Sequence, residues 1–207
     1  MWNLFEKRGK LVKNAGLFMY KDIKNKIINT SYKLFQEKGY DNVSVQDICD
    51  VLSITKPTFY KHIGAKENLL ASFYNNIMSE VNEQLLEMVT KDNYWEQICC
   101  GFMIILGHSQ EFGQDLYSQL FISNLRENKG TFTFIDSLTN AMVAILEKAQ
   151  SSGQIHNMGD PYELYMACAH LSFGYGVLWC LNNGTNDLLH DFRKALSIVL
   201  QVDEKLL

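Results

Sequence analysis

Residues 44–63 read SVQDICDVLSITKPTFYKHI, and this stretch decides the fold class. Ser44 to Asp47 matches the Ser/Thr-x-x-Asp/Glu pattern, in which a hydroxyl satisfies an orphan backbone N–H at a helix start. Val45, Ile48, Cys49 and Leu52 follow at i, i+3, i+4 and i+7 and give a short helix one apolar face. Ser53-Ile54-Thr55 breaks the pattern. A second short helix fits Lys56 to Ile63. The residue before a proline avoids helical geometry, so Thr55 or Lys56 is the cap. Pro57 then falls in the first turn, where its missing N–H costs nothing. Phe59 and Ile63 form the inward face, leaving Thr58, Tyr60, Lys61 and His62 for the outside.

Upstream, residues 22–38 read as a helix, with Ile23, Ile27, Thr30/Ser31 and Leu34 on one face and Gly39 as its C-terminal stop. Two short helices joined by a three-residue turn make a helix-turn-helix. The second helix of such a pair is narrow enough to enter a DNA major groove. Hydroxyls and lysines beside it hold phosphates and fix the register.

Composition agrees. The 207 residues are 47% hydrophobic and 20% charged, the profile of a globular chain rather than a disordered one. Pro57 and Pro161 are the two prolines, so helices run almost unpunctuated and an all-α protein is predicted. Near the start, Trp2, Leu4 and Phe5 are interrupted by Glu6, Lys7, Arg8 and Lys10, which is no secretory signal. Apolar stretches such as Leu171 to Leu181 contain Gly and Ser and fall short of the ~18–20 residues of a membrane span, so no membrane partner is expected. Five cysteines (Cys49, Cys99, Cys100, Cys168, Cys180) without a Cys-x-x-Cys read as free thiols in a reducing cytoplasm, with no metal site. The formal charge is −4. Met1 to Lys66 carries twelve Lys/Arg against six Asp/Glu, and Glu67 to Leu207 seven against seventeen. A basic first third on an acidic remainder points that third at a polyanion.

Residues 26–70 resemble the DNA-binding domain of TetR-family transcriptional regulators. The resemblance is carried by Leu34-Phe35, Gly39-Tyr40, Val45, Ile48, Thr55-Lys56-Pro57-Thr58-Phe59-Tyr60, and Lys66-Glu67 followed by Leu69. It implies phosphate contacts from Ser44, Thr58, Tyr60 and Lys66. It also implies base-edge positions at Lys56, Phe59, Lys61 and His62, with Thr55 in the same DNA-binding set. Phe59 could instead be wholly core, and Tyr60 an amphipathic cover. Three positions depart from the family pattern: Ser53 where the turn usually has glycine, Ser31 where a small apolar residue is usual, and Ile63 where an aromatic is usual. Residues 1–21 lie outside the resemblance. Their Lys7, Arg8, Lys10, Lys13 and Lys21 fit a basic arm, a tail, or a segment upstream of a start at Met19. The expected organisation is 1–21 arm or tail, 22–66 helix-turn-helix domain, and 67–207 helical effector-binding and dimerisation domain.

Downstream, helices are predicted over 66–89, 94–107, 113–128, 132–152, 161–183 and 186–205, separated by Asn, Gly, Ser and Pro clusters. The resemblance implies a small-molecule pocket and a homodimer through the last two helices. Gly174 and Gly176 flank Tyr175 and suggest close helix approach, a cavity wall or a dimer seam. The last helix carries an apolar stripe of Leu188, Leu189, Phe192, Leu196, Val199 and Leu200. Pocket candidates are Phe102, Leu106, Tyr117, Phe121, Leu138, Met142, His170 and Phe173, which suit a small apolar or amphiphilic effector. No G-x-S-x-G, P-loop, dinucleotide or H-E-x-x-H motif occurs. His108 and Glu111 share a helical face without metal-ligand spacing, and Cys99-Cys100 is read as a buried thiol pair. No enzyme activity and no cofactor is expected. The resulting expectation is a cytoplasmic homodimeric repressor that binds a near-palindromic double-stranded DNA operator and is released by its effector. The alternative is a TetR-like coactivator or adaptor working through a protein partner.

Overall fold

The computed structural model describes residues 22–78 and 81–207. Segment 1–21, expected as an arm or tail, lies outside the described residues. The fold is all-α. Its helices are α1 (22–38), α2 (Val45–Leu52), α3 (Lys56–Ile63), α4 (Glu67–Met78), α5 (Val81–Val89), α6 (Tyr94–Phe112), α7 (Gln114–Arg126), α8 (Asp136–Ser151), α9 (Pro161–Leu181) and α10 (Leu188–Leu200). The chain divides into two compact units, Met1–Phe73 and Tyr74–Leu207. The division falls within α4.

In the first unit α1 buries Ile27, Ile28, Leu34 and Phe35. Gly39 ends it in a left-handed conformation (φ 80°), its N–H donating to Phe35 O at 2.8 Å. Ser31 is wholly buried. Its hydroxyl donates to Ile27 O at 2.7 Å, which satisfies a polar group in a place where a small apolar residue was the expectation. Ile48 and Cys49 from α2, Phe59 and Ile63 from α3, and Leu69, Leu70 and Phe73 from α4 complete the core.

The second unit is organised around α6, which packs against α5, α7, α8, α9 and α10. Trp95, Ile98, Phe102, Leu106 and Phe112 are its buried side chains. The helix runs five residues past its predicted end, because Gly107 is tolerated in it and the stop is Gly113 at φ 88°. At Gly101 an added Cβ would overlap Met142 Sδ, so the bare backbone lets α8 come close. A bidentate pair ties α6 to α10: Arg193 donates to Glu96 at 2.5 and 3.1 Å, and its guanidinium lies 5.2 Å from the Trp95 ring centroid.

Several predicted boundaries are corrected. The span read as one helix over 66–89 is not among them: it is helical over Glu67–Met78 and Val81–Val89, and residues 79–80 lie outside the described residues. The helix expected from 132 starts at Asp136. The alternating Thr131-Phe132-Thr133-Phe134 favours extended backbone, and the segment stays non-helical. The last helix ends at Leu200, where Gln201 turns left-handed at φ 52°. An isolated bridge between Ile155 and Val202 and a 3-10 turn over Glu204–Leu206 follow. The apolar run read as too short for a membrane lies within α9, and this helix is long and apolar enough to span one by length and composition. Here it packs against α6, α7, α8 and α10.

Two outcomes follow from these contacts. Ser53 occupies the left-handed region at φ 52°, ψ 42° with its side chain exposed, so Ser53→Gly should raise stability by about 1 kcal/mol in urea melts. Arg193→Ala should lower stability by about 1 kcal/mol or less, as the pair is partly solvated. The Arg193 hydrogen bond holds the Glu96 carboxyl below its usual value of 4.5. A depressed native value gives a contribution that is complete above the ordinary range and lost as pH falls through the native value. The gap between wild type and Arg193→Ala should therefore be constant above about pH 5 and close on acidification, as read by melts at stepped pH.

Candidate nucleic-acid interface and effector cavity

Local hydrogen bonds set the turn between α2 and α3. Ser44 and Asp47 form a reciprocal cap, the Ser44 N–H donating to Asp47 Oδ2 at 2.7 Å and the Asp47 N–H to Ser44 Oγ at 3.2 Å. The Ser44 hydroxyl bond holds the Asp47 carboxyl below its usual value. At the turn, Ile54 N–H donates to Cys49 O at 3.0 Å. Thr55 caps α3 with extended backbone (φ −90°, ψ 155°). Its hydroxyl accepts from Thr58 N–H at 3.4 Å and lies 2.9 Å from the Thr58 hydroxyl.

This frame sorts the nine DNA-binding candidates. Ser44, Thr55, Lys56, Tyr60 and Lys61 are exposed, and Thr58 is half-buried. Lys56 and Tyr60 lie one turn apart on α3, with Lys61 beside them. Tyr60 remains 48% exposed while its ring edges against Phe59 at 5.5 Å. Phe59 itself is fully buried and anchors α3 to the core. His62, expected outside, is buried at 9% exposure; the positions 59, 62 and 63 fall on one helical face. Burial, with Lys61 and Lys24 nearby, holds its imidazole below the usual value. Lys66 is half-buried. Its ammonium donates to Tyr40 O at 2.6 Å and sits 3.9 Å from the Tyr40 ring centroid.

The second unit contains a part-open cavity with about 40 Å³ of free interior space. Of the eight pocket candidates, Phe102 and Phe173 line it. Leu106, Tyr117, Leu138 and Met142 are buried core. Phe121 stands outside the lining and stacks on Phe132 at 4.8 Å. His170 is exposed with its ring edge toward Phe134 at 5.7 Å. Sequence reasoning missed Tyr74, Thr131, Phe132, Phe134, Tyr165 and Ser172 in the wall. Burial pushes the Tyr74 phenol up to about 12 and raises that of Tyr117.

The two glycines of α9 differ. A Cβ on Gly176 would lie 3.1 Å from Tyr117 Cε1, whereas one on Gly174 would meet nothing within 4 Å. The five thiols are free; Cys49, Cys99 and Cys168 are buried, and Cys100 and Cys180 half-buried. Burial raises all five above the usual thiol value, Cys99 and Cys168 to about 12. His108 lies 3.1 Å from Glu111 and 3.0 Å from Gln84. Among the described residues no three His, Cys, Asp or Glu side chains gather as a metal site.

Residues 27–73 match the model for bacterial regulatory proteins of the tetR family. Over 95 residues the chain is 34% identical to the uncharacterized HTH-type transcriptional regulator YuxN of Bacillus subtilis, a match covering 44% of this chain and 33% of that protein. Over 72 residues it is 31% identical to the biofilm operon icaADBC HTH-type negative transcriptional regulator IcaR of Staphylococcus aureus, covering 35% of this chain and 39% of that one. The chain thus spans between about a third and two fifths of the length of these curated relatives. Among solved structures, Thermus thermophilus FadR, a TetR-family transcriptional repressor in complex with lauroyl-CoA, superposes with a TM-score of 0.63 at 17% identity, covering 86% of this chain and 93% of that one; this likeness concerns the fold. The helix-turn-helix segment 27–73 is thus of the tetR-family type, and the all-helical fold is shared with the Thermus repressor.

Proposed function

We propose that this protein is a ligand-responsive, DNA-binding transcriptional regulator that works in the cytoplasm. The observation that carries the reading is α3: a short capped helix pinned by buried Phe59 and Ile63, with Lys56, Tyr60 and Lys61 exposed along it. Lys56 and Lys61 supply charge, and Tyr60 a hydroxyl on an amphipathic ring. Lys56 faces base edges from the first turn, while Tyr60, Lys61, Ser44 and Thr58 take phosphates. Lys66 has a different part in this reading: it fixes the Gly39-Tyr40 turn, and with it the angle between α1 and α2. Phe59 and His62 support α3 from beneath.

The protein acts as a homodimer through α9 and α10. Leu178, Leu181 and Ile198 are exposed on these helices, and Gly174 presents open backbone on the same face of α9 as Leu178 and Leu181. Two copies of α3 then read the half-sites of a near-palindrome. The cavity takes a small apolar or amphiphilic effector, whose differential binding to two conformations moves α4 and releases the operator. A 100-fold drop in affinity requires about 2.7 kcal/mol of coupling. Repression is the proposed sign; the name of IcaR describes that protein as a negative regulator.

Binding is tested by anisotropy on duplexes selected from a random pool. Tyr60→Ala and Lys61→Ala should weaken all duplexes alike, about tenfold each, and Lys61→Ala should flatten the salt slope by about one. Lys56→Ala should change the preferred sequence. Failure of selection to enrich any duplex would move the weight to a protein-partner adaptor. For the dimer, Gly174→Gln should leave helix content unchanged, since its side chain has room in the isolated chain, and yield a monomer in sedimentation velocity; an intact dimer would place the seam elsewhere.

A further inference from the structure

Six aromatic side chains surround the cavity, Tyr74, Phe102, Phe132, Phe134, Tyr165 and Phe173. They hold one another by ring contacts. Phe132 and Phe173 meet edge to face at 5.5 Å, Phe134 and Phe173 at 6.2 Å, and Phe102 stacks on Tyr165 at 5.8 Å. Such a wall prefers a flat partner, stacked or edge-on. A flexible chain would lose rotamer freedom between stiff rings that a flat ring system does not have. None of the described side chains lining the cavity is charged. An ionic ligand would lose its hydration there without a counter-charge.

The polar groups are few. The Ser172 hydroxyl donates to Ala169 O at 2.7 Å. Thr131 is only 7% exposed and lines the cavity, and its Oγ1 has no hydrogen-bond partner among the described residues. Buried hydroxyls in native proteins are paired in the great majority of cases; the Thr133, Ser172, Tyr74 and Tyr165 hydroxyls of the wall have partners, so the Thr131 oxygen is an open position for a donor or acceptor.

We infer that the cavity takes an uncharged, planar aromatic molecule carrying one hydroxyl- or carbonyl-type group directed at Thr131 Oγ1. The inference rests on the regulator reading for the cavity's role and on the cavity alone for the ligand's chemistry. It sets this chain apart from the lauroyl-CoA complex of the Thermus protein, whose ligand is long, flexible and anionic.

The test uses the full chain and four probes: 2-naphthol, naphthalene, 2-naphthoate and laurate. Calorimetry should show 2-naphthol binding at least about tenfold more tightly than 2-naphthoate or laurate, the loss expected when a charge has no partner. Thr131→Val should weaken 2-naphthol about tenfold, one hydrogen bond's worth, and leave naphthalene unchanged. Thr131→Ser, which keeps the hydroxyl, should restore 2-naphthol. The assignment is overturned if laurate or 2-naphthoate binds as tightly as 2-naphthol, if 2-naphthol does not bind, or if Thr131→Val binds it like wild type. The same probes are added to a protein–duplex complex. Selective 2-naphthol binding without DNA release sustains the ligand assignment and sinks the regulator reading. Release by laurate without 2-naphthol binding does the reverse.

Discussion

Burial of α6 is the constraint on which the second unit depends. A helix packed against five others has little solvent face to spare, so its sequence must be apolar nearly all round. Trp95, Ile98, Phe102 and Leu106 meet that demand, and Gly101 removes a side chain where Met142 has to pass. The same helix also leaves space. Phe102 and Ile105 face the cavity, which therefore sits against the most heavily packed element of the fold. Glu96, near its first turn, carries the link to α10 through Arg193. Cavity wall and proposed dimer helix thus share one support.

The first unit follows a different logic. Its core is small, and capping and turn hydrogen bonds define its helices as much as packing does. Ser44 with Asp47, Thr55 with Thr58, and Gly39 with Phe35 each satisfy backbone or hydroxyl groups within a few residues in sequence. Lys66 reaches further, 26 residues back to Tyr40 O. Here α4 has a double membership. Leu69, Leu70 and Phe73 belong to the core of the first unit, and Tyr74 and Met78 to the cavity wall of the second.

That contrast explains what the sequence disclosed. The helix-turn-helix was legible because its signals are local: a capping box, a proline in the first turn, and apolar residues three and four apart. His62 has the polar chemistry of an outward residue, but its spacing from Phe59 and Ile63 puts it on the buried face. The bond of Lys66 to Tyr40 had no local signal. In the cavity, helical spacing through Phe102, Leu106, Leu138 and Met142 identified buried faces but could not separate core from wall. Phe132 and Phe134 fall in the helix expected from 132, which begins only at Asp136, and Thr131 lies just before it with no periodic signal. Their ring contacts with Tyr74, Phe121 and Phe173 are tertiary and have no periodicity in the chain.

The segment between α7 and α8 has a kinetic consequence. Two of its aromatic side chains, Phe132 and Phe134, form part of the cavity wall, yet the backbone that carries them belongs to no helix. Displacing it would break ring contacts and a turn at Gly130–Thr133 but no helical ladder. Passage in and out of the part-open site can then proceed on the timescale of loop motion, nanoseconds to microseconds, rather than that of subglobal opening. Residence time would be set by what the rings hold and not by how fast the protein unfolds around it.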